Sequence, residues 1–238
     1  MKIFAVAPHP DDIEFAIGGV LLLAKQRGHD ITLYCNTKLD EYSYLNEQDK
    51  RFAEMIESSN KLGSHRFFCV DGDIKKIVND ICDEAPDIIF VPDNNDFNSI
   101  HRKTTDIIIN ALSLAMLRSC EVSQLFYYEA FSNENFIPDI IIDVSSCFSQ
   151  AKRLLEIHKE GIKILPSITY KFMLQHQIRG FQGSCFYGEG LRLDNSKWFQ
   201  WCKNKNKGIE FLHSLVNYAR TGENDGIISG DEECYKNI

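Results

Sequence analysis

A histidine and two adjacent carboxylates lie close together near the start of the chain, in the segment Ala7–Glu14. They follow the apolar run Ile3–Val6, which predicts a buried strand with His9, Asp11 and Asp12 at its carboxyl end. Adjacent carboxylates repel each other, and they become useful when one binds a cation and the other moves a proton. The segment therefore indicates a metal-dependent hydrolase.

The elements that must position these side chains alternate between strand and helix. The pattern predicts strands at 2–7, 31–36, 66–70, 87–92 and 125–130, and helices at 14–27, 46–62, 74–84 and 101–118. This alternation favours an α/β fold with a Rossmann-like, doubly wound and mostly parallel sheet in three layers, α/β/α. Additional strands and helices are expected toward the C-terminus.

The second half of the chain is less regular. A strand is expected at 140–144, a helix at 148–157 and a late strand at 186–193, whereas 162–183 has no clear assignment and is expected to cap the site. At 238 residues the chain suits one domain. We expect a Rossmann-like core over 1–130, an extension of the same domain over 131–220 and a flexible, acidic tail over 221–238.

A second polar cluster follows the fourth predicted strand and includes Asp96, Asn98 and His101. With strand order 3-2-1-4-5, strands 1 and 4 are neighbours where the order reverses, and ligands bind there in open α/β sheets. His9, Asp12 and His101 would then form a His-Asp-His set that leaves a fourth position for water, as in catalytic zinc sites. Zinc would lower the pKa of that water, and Asp11 would act as general base.

Each of these residues also has a structural interpretation. Asp12 can cap the following helix, Asn98 or Ser99 can cap the helix after strand 4, and His101 alone suits the start of a surface helix. The aromatic pair Trp198 and Trp201 suits packing at helical spacing as well as sugar stacking. A functional site is favoured because His9 and Asp12 follow strand 1 while His101 follows the neighbouring strand 4.

Other classes of protein find little support. There is no Gly-x-Gly-x-x-Gly fingerprint after strand 1, no phosphate-binding loop and no Gly-x-Ser-x-Gly elbow. Gly18-Gly19 lies within a helical pattern and suits close packing on the sheet or close approach of substrate to the backbone. A net charge of −8 and the absence of a basic stripe argue against nucleic-acid binding.

The eight cysteines form no Cys-x-x-Cys pair, and most lie in apolar runs. They indicate small buried side chains in a reducing compartment. The chain opens on a predicted strand with no signal peptide, and no apolar run reaches the ~20 residues of a membrane span. We therefore expect a cytoplasmic protein.

The segment His9–Gly19 resembles the opening motif of the LmbE-like (PIG-L) family of zinc-dependent N-acetylglucosaminyl deacetylases, His-Pro-Asp-Asp-x-Glu-x-x-x-Gly-Gly. The later segment Asp96–His101 is similar to the family's Asp-x-His-x-Asp-His. Weaker similarity continues to about residue 192. The resemblance implies that His9, Asp12 and His101 bind Zn²⁺ and that Asp11 is the base.

The resemblance also implies roles in binding substrate and stabilising the oxyanion. Arg51 matches an arginine that contacts substrate, although an ion pair with Glu54 explains it equally. Asn98 stands where many members have a histidine that stabilises the oxyanion, and its amide can still donate. His158 and Arg179 lie in the weaker segments and are taken as substrate-binding candidates. His158 or His176 are candidates for the missing donor.

Ile100 is the main departure from the family motif, because an aspartate usually precedes the ligand histidine. Loss of such a supporting partner typically costs 10–100-fold in affinity or activity. The resemblance as a whole implies a metal-dependent hydrolase that removes the N-acetyl group from an amino sugar or sugar conjugate. A zinc amidohydrolase for another acyl amide, such as N-formyl, and a weak or inactive sugar-binding relative stay open. The identity of the sugar, of its aglycone and of the metal used in the cell, and the formation of homo-oligomers, also stay open.

Overall fold

A mixed β-sheet forms the centre of the fold in the computed structural model, which describes residues 1–36, 45–69, 72–194 and 206–221. Its strand order is β3-β2-β1-β4-β5-β7-β6. The strands are β1 (Lys2–Ala7), β2 (Asp30–Cys35), β3 (Arg66–Cys69), β4 (Ile88–Pro92), β5 (Gln124–Tyr128), β6 (Ile140–Asp143) and β7 (Gly188–Leu193). The first five are parallel, which confirms the predicted order 3-2-1-4-5.

Helices cover both faces of the sheet. They are α1 (Asp12–Gln26), α2 (Leu45–Leu62), α3 (Ile74–Glu84), α4 (Ser99–Leu117), α5 (Phe148–Leu155), α6 (Lys159–Ile164), α7 (Ser167–Gln182) and α8 (Asn206–Thr221). Alternate residues of β1 enter opposite cores: Ile3 and Ala5 pack with α1, α5, α7 and α8, whereas Phe4 and Val6 pack with α3 and α4. This is the expected three-layer α/β/α arrangement.

The late strands extend the sheet beyond β5. β7 pairs antiparallel with β5 through Tyr128 and Leu191, and β6 pairs antiparallel with β7 through Ile140 and Leu191. The segment 162–183, which the sequence left unassigned, contains the end of α6 and all of α7. The tail from 222 onward, together with Trp198 and Trp201, lies outside the described residues.

Helix α1 bends where the glycine pair lies. Ile17 departs from helical geometry, with φ −138° and ψ 20°, and the N–H groups of Gly19 and Val20 donate to the two carboxylate oxygens of Glu189 at 2.7 Å each. His176 Nε2 lies 3.1 Å from the same carboxylate. A buried carboxylate thus satisfies backbone donors that the bend releases, and it fastens β7 and α7 to α1.

The glycine pair serves packing. A Cβ on Gly19 would lie 2.7 Å from Val144 Cβ and 2.9 Å from Glu189 Oε1. A Cβ on Gly18 would meet Ala151 at an ordinary 3.8 Å. Only the second glycine is therefore required by the close approach of β7 and the residues after β6.

Two cysteines differ from the expectation of isolated buried thiols. Cys82 of α3 and Cys120, just after α4, form a disulfide across 38 residues of chain, so the sequence interpretation is wrong for this pair. Their distance along the chain hides the pairing, and the packing of α3 on α4 creates it. Cys35 and Cys147 are buried, as expected. Because disulfides persist in oxidising compartments, this pair gives no support to a cytoplasmic location.

Within the four described ranges, no helix combines the length and the apolar character that crossing a bilayer requires.

We expect Gly19→Ala to lower the free energy of unfolding by about 1–3 kcal/mol, because the added methyl group overpacks against Val144 and displaces Glu189. Gly18→Ala is the matched control, and its ordinary contact with Ala151 should leave stability unchanged or slightly raised, as expected for alanine in a helix. Urea unfolding monitored by far-UV circular dichroism measures both. Equal effects of the two substitutions would contradict this account of the bend.

Candidate metal centre and active site

Two loops at the carboxyl ends of neighbouring strands build the site. His9 lies in the loop after β1, and Asp12 begins α1, while His101 lies in the first turn of α4, which follows β4. β1 pairs directly with β4, Ile3 opposite Ile88. The sheet therefore brings together residues 92 positions apart in the sequence.

His9, Asp12 and His101 converge on one point. His9 Nδ1 lies 3.0 Å from Asp12 Oδ2 and 3.1 Å from His101 Nε2, and His101 Nε2 lies 3.4 Å from Asp12 Oδ2. All three residues are buried, and one ligand atom from each falls within 4.8 Å of the others. Two imidazoles and a carboxylate at this spacing can hold a metal ion.

Asp12 does not cap helix α1. The cap position belongs to Asp11, whose side chain makes no capping hydrogen bond. The Asp12 carboxylate instead accepts the backbone N–H of His9 at 2.7 Å and faces the two imidazoles. The competing interpretation of Asp12 as a helix cap is therefore not the one the structure adopts.

Asp96 orients His101. Its Oδ2 lies 2.9 Å from His101 Nδ1, and its Oδ1 accepts from the backbone N–H of Asn98 at 2.7 Å and from the Ser132 hydroxyl. A carboxylate on Nδ1 keeps the proton there and leaves the Nε2 lone pair for a ligand. Asp96 thus gives His101 a supporting carboxylate although Ile100 occupies the position of the family aspartate.

The charges of the cluster favour a cation at its centre. Burial raises the pKa of Asp12, but the imidazoles of His101 and His9 outweigh it and hold that pKa at about 2. Burial lowers the pKa of His101, but the carboxylates of Asp12 and Asp96 outweigh it and raise that pKa above its usual value. Positive charge between Asp12 and the ring nitrogens is therefore stabilised, whether a proton or a metal supplies it.

Asp11 lines the same cavity as the cluster, and its carboxylate contacts Arg51 and the backbone of Gly161. Its Oδ1 lies 3.4 Å from Arg51 Nη2, and both side chains are only 12% exposed. On its other side is the backbone of Gly161 in α6, where an added Cβ would lie 2.4 Å from Asp11 Oδ2. Glu54, the alternative partner of Arg51, instead accepts the backbone N–H of Glu160.

Asn98 both caps helix α4 and lines the cavity, so its structural and its functional roles are compatible. Its side-chain oxygen caps α4 by accepting the backbone N–H of Ile100 at 2.8 Å, and the residue also lines the cavity above the cluster. Since the oxygen must face that N–H, the orientation of the amide is fixed, and its NH₂ group points away from the cap. Asn98 can therefore donate a hydrogen bond within the cavity.

Three of the other candidate residues lie outside the cavity. His158 is buried with its Nε2 3.4 Å from Glu14 Oε2, and this carboxylate raises the pKa of His158 against the lowering effect of burial. Arg179 donates to Glu129, Gln182 and the Phe136 carbonyl. His176 is held by Glu189 and the Phe172 carbonyl. None of the three is among the described residues that line the cavity.

The cavity above the cluster has a volume of about 150 Å³. One wall is polar and consists of the cluster, Asp11, Arg51 and Asn98. The other is largely apolar and comes from Phe131, Ile164, Leu165 and Ile168. Three of these apolar residues belong to the segment that the sequence suggested as a cap.

The sequence placed Asp96 in the polar cluster after strand 4 without a specific role, and it pointed to neither Ser132 nor Gly161. Ser132 follows β5 at the same edge of the sheet, so the rule that located His101 could also have singled it out. Gly161 carried no signal, because its importance arises only from the approach of α6 to Asp11.

Comparison with known proteins agrees with this architecture. Residues 4–112 match the PIG-L family, described as GlcNAc-PI de-N-acetylase. These residues are therefore similar to a PIG-L (LmbE-like) domain. The matched residues include the whole His-Asp-His cluster, Asp11, Arg51 and Asn98. No curated protein sequence matches the chain significantly.

Solved structures share the fold of this chain. A conserved protein from Thermus thermophilus superposes with a TM-score of 0.70 at 23% identity, covering 80% of this chain and 93% of that one. The N,N'-diacetylchitobiose deacetylase from Pyrococcus horikoshii gives 0.69 at 18% identity, with 85% and 86% covered. A 4-carboxy-2-hydroxymuconate hydratase from Pseudomonas putida gives 0.70 at 15% identity, with 82% and 97% covered. Because a deacetylase and a hydratase share the fold, the reaction must be argued from the site.

We expect the purified chain, stripped with chelator and reloaded, to retain about one Zn²⁺, and His101→Ala to lose it. Asp96→Asn should weaken binding roughly 10–100-fold, because the remaining amide orients His101 less well. Elemental analysis gives the stoichiometry, and competition with a chromogenic chelator gives the affinity.

The matched control is His65→Ala, which removes an exposed imidazole that pairs with Asp30 at 3.0 Å. It should bind zinc like the unaltered chain. Full zinc affinity in His101→Ala would rule out the His-Asp-His cluster as the metal site.

Proposed function

We propose that this protein is a metal-dependent N-deacetylase that removes the acetyl group from an amino sugar or sugar conjugate. The observation that carries the proposal is the convergence of His9, Asp12 and His101 at the base of a cavity, with the Asp11 carboxylate beside them. The PIG-L match and the similarity to a chitobiose deacetylase support the substrate class.

The residues of the cluster fit a zinc ion. Two ring nitrogens only 3.1 Å apart both face the Asp12 carboxylate in a buried site, and a shared cation satisfies all three groups. Borderline-soft Zn²⁺ suits imidazole and carboxylate ligands, although affinity alone does not exclude other divalent metals. When bound, the metal supplies Lewis-acid chemistry, polarising the amide carbonyl and lowering the pKa of water.

Asp11 is the general base in this proposal. Its carboxylate lies next to the cluster without belonging to it, so it stays available for proton transfer. It takes a proton from the attacking water as the new C–O bond forms. It then returns that proton to the nitrogen as the C–N bond breaks, which releases acetate and the free amine.

Asn98 and Arg51 complete the set. Asn98 lines the cavity, and its cap on α4 uses only the side-chain oxygen, so its NH₂ group can donate to the oxyanion that develops on the acyl carbon. Arg51 holds Asp11 in place at 3.4 Å and offers its remaining N–H groups to sugar hydroxyls. Both groups are positioned before substrate arrives, which is the condition for efficient electrostatic stabilisation.

The site favours an active enzyme over an inactive sugar-binding relative. That alternative rests on Ile100, which removes a carboxylate from the family motif. In the structure Asp96 contacts His101 Nδ1 at 2.9 Å and is itself held by Ser132 and the Asn98 backbone. The metal-binding histidine therefore retains a supporting carboxylate.

We expect Asp11→Ala to keep its bound zinc and to lose roughly 10²–10⁴-fold in kcat, because only the proton-transfer group is removed. Release of free amine from N-acetylglucosamine conjugates measures the rate, and elemental analysis measures the metal. Asp106→Ala removes an exposed carboxylate from α4 and should change neither quantity. An Asp11→Ala enzyme of normal rate would refute the base assignment, and preference for N-formyl over N-acetyl substrates would refute the acyl group.

We expect Gly161→Ala to lower kcat while leaving zinc content intact. The added methyl group would lie 2.4 Å from Asp11 Oδ2 and must displace that carboxylate, whereas the metal ligands are not touched. Gly18→Ala, whose methyl group meets Ala151 at 3.8 Å, is the control for adding a methyl group to a helix. Normal kcat in Gly161→Ala would show that the rate does not depend on where Asp11 is held.

A further inference from the structure

Helix α7 exposes a row of large apolar side chains along its outer face. Tyr170, Leu174, Ile178 and Phe181 are 73%, 43%, 47% and 86% exposed, and their spacings of four, four and three place them on one side of the helix. The opposite side, which includes Phe172 and His176, is buried against the core. Four such residues in a row are unusual on a surface that meets only water.

Further exposed apolar residues lie near both ends of the helix. Ile164 and Leu165, which precede α7, are 55% and 37% exposed and also line the cavity. Ile137 and Phe186 are 77% and 84% exposed beside its C-terminal half. They lie there because Arg179 donates to the Phe136 carbonyl and because Gly180 packs against the backbone of Phe186. We call these eight residues the α7 surface.

The area of the α7 surface suits a protein interface. An aromatic side chain accounts for roughly 150–250 Å², so three aromatic and five aliphatic residues at these exposures offer on the order of 900 Å². A stable protein–protein interface buries about 800 Å² on each partner. The largest apolar patch on an ordinary monomer is about 300–600 Å².

The charge of the helix argues against a lipid partner. Interfacial helices place Lys and Arg where they meet lipid phosphates. Both cations of α7 are directed into the protein, Lys171 to the Phe131 carbonyl and Arg179 to Glu129. The remaining outward residues of α7 are Ser167, Gln177 and Gln182, and the chain carries a net charge of −8. A neutral apolar surface of this kind suits another neutral apolar surface.

The order of the four residues makes the face self-complementary. It reads aromatic, aliphatic, aliphatic, aromatic, so the sequence is the same in character from either end. A two-fold axis that crosses α7 between Leu174 and Ile178 would place Leu174 against Ile178 of the partner subunit. The same axis would place Tyr170 against Phe181 of the partner subunit. A two-fold contact needs this kind of match, because one surface must serve both partners.

We propose that the α7 surface is the interface of a two-fold symmetric dimer, in which Phe181 of the partner subunit completes the wall of the cavity at Ile164 and Leu165. These two residues precede the N-terminus of α7, which is where the C-terminus of an antiparallel partner helix lies. At about 150 Å³, the cavity is smaller than a typical small-molecule site of 300–1,000 Å³, so a further wall is needed to enclose a sugar. The role in the cavity rests on the proposed function, whereas the dimer does not.

Sedimentation equilibrium of the full chain tests the dimer. We expect the mass of two 27.3 kDa chains at micromolar concentration, and one chain for Leu174→Glu/Ile178→Glu. Leu114→Glu/Leu117→Glu places two charges at exposed apolar positions of α4 and should stay dimeric. Mixing the Glu double variant with Leu174→Lys/Ile178→Lys should restore the two-chain mass, because opposite charges then face each other across the interface. Restoration would show that the Glu double variant is monomeric through charge repulsion and is not misfolded.

The other outcomes would overturn the proposal. A monomeric unaltered chain excludes the dimer, and a mass of three or more chains excludes a closed two-fold pair. A monomer that co-sediments with phosphatidylcholine vesicles, and loses this with the Glu double variant, assigns the α7 surface to lipid.

Amide hydrogen exchange tests the cavity wall without any need for activity. Residues 164 and 165 should exchange more slowly in the dimer than in the monomeric Glu double variant. Equal exchange rates in the dimer and in the monomeric variant would show that Phe181 of the partner subunit does not cover the cavity wall, although the dimer itself would still stand. Absence of deacetylase activity with normal protection would refute the proposed function alone.

Discussion

The parallel pairing of β1 with β4 is the constraint on which the rest of the site depends. His9 and Asp12 follow one strand and His101 follows the other, so their meeting requires the two strands to be neighbours. The order of the sheet reverses between them, and the helices after β1 and β4 leave on opposite faces. The gap between those departing helices is where the loops can converge without clashing.

A second constraint fixes what lies around the cluster. The carboxylate of Glu189 binds the backbone of α1 at Gly19 and Val20 and lies beside His176 of α7. One buried group thus joins α1 to β7 and to α7, whose first turn contributes Ile168 to the apolar wall of the cavity. Since an unsatisfied buried carboxylate is costly, the bend in α1, the glycine at position 19 and the position of α7 are mutually dependent.

The sequence was most informative where local pattern and chemistry coincide. The run Ile3–Val6, followed by His9 and the two aspartates, marks a strand and a loop at once, and the same logic located His101 after β4. The order β5-β7-β6 could not be inferred, because antiparallel insertion of a late strand leaves no local signature. The Cys82–Cys120 disulfide and the approach of Gly161 to Asp11 likewise depend on contacts between helices distant in sequence.

The roles of Asp96 and Ile100 show why a motif alone misjudges a site. When the motif is compared position by position, Ile100 is the loss of a carboxylate next to His101, the proposed metal ligand. The structure shows that a hydrogen bond to His101 Nδ1 can come from Asp96, five residues earlier, because the turn capped by Asn98 folds the chain back on itself. What orients His101 is a carboxylate about 2.9 Å from its Nδ1. Where that carboxylate stands in the sequence matters only because it decides whether the distance can be reached. Isoleucine at position 100 therefore removes one negative charge from the motif, but the contact with Asp96 keeps the His101 ring oriented for the proposed metal.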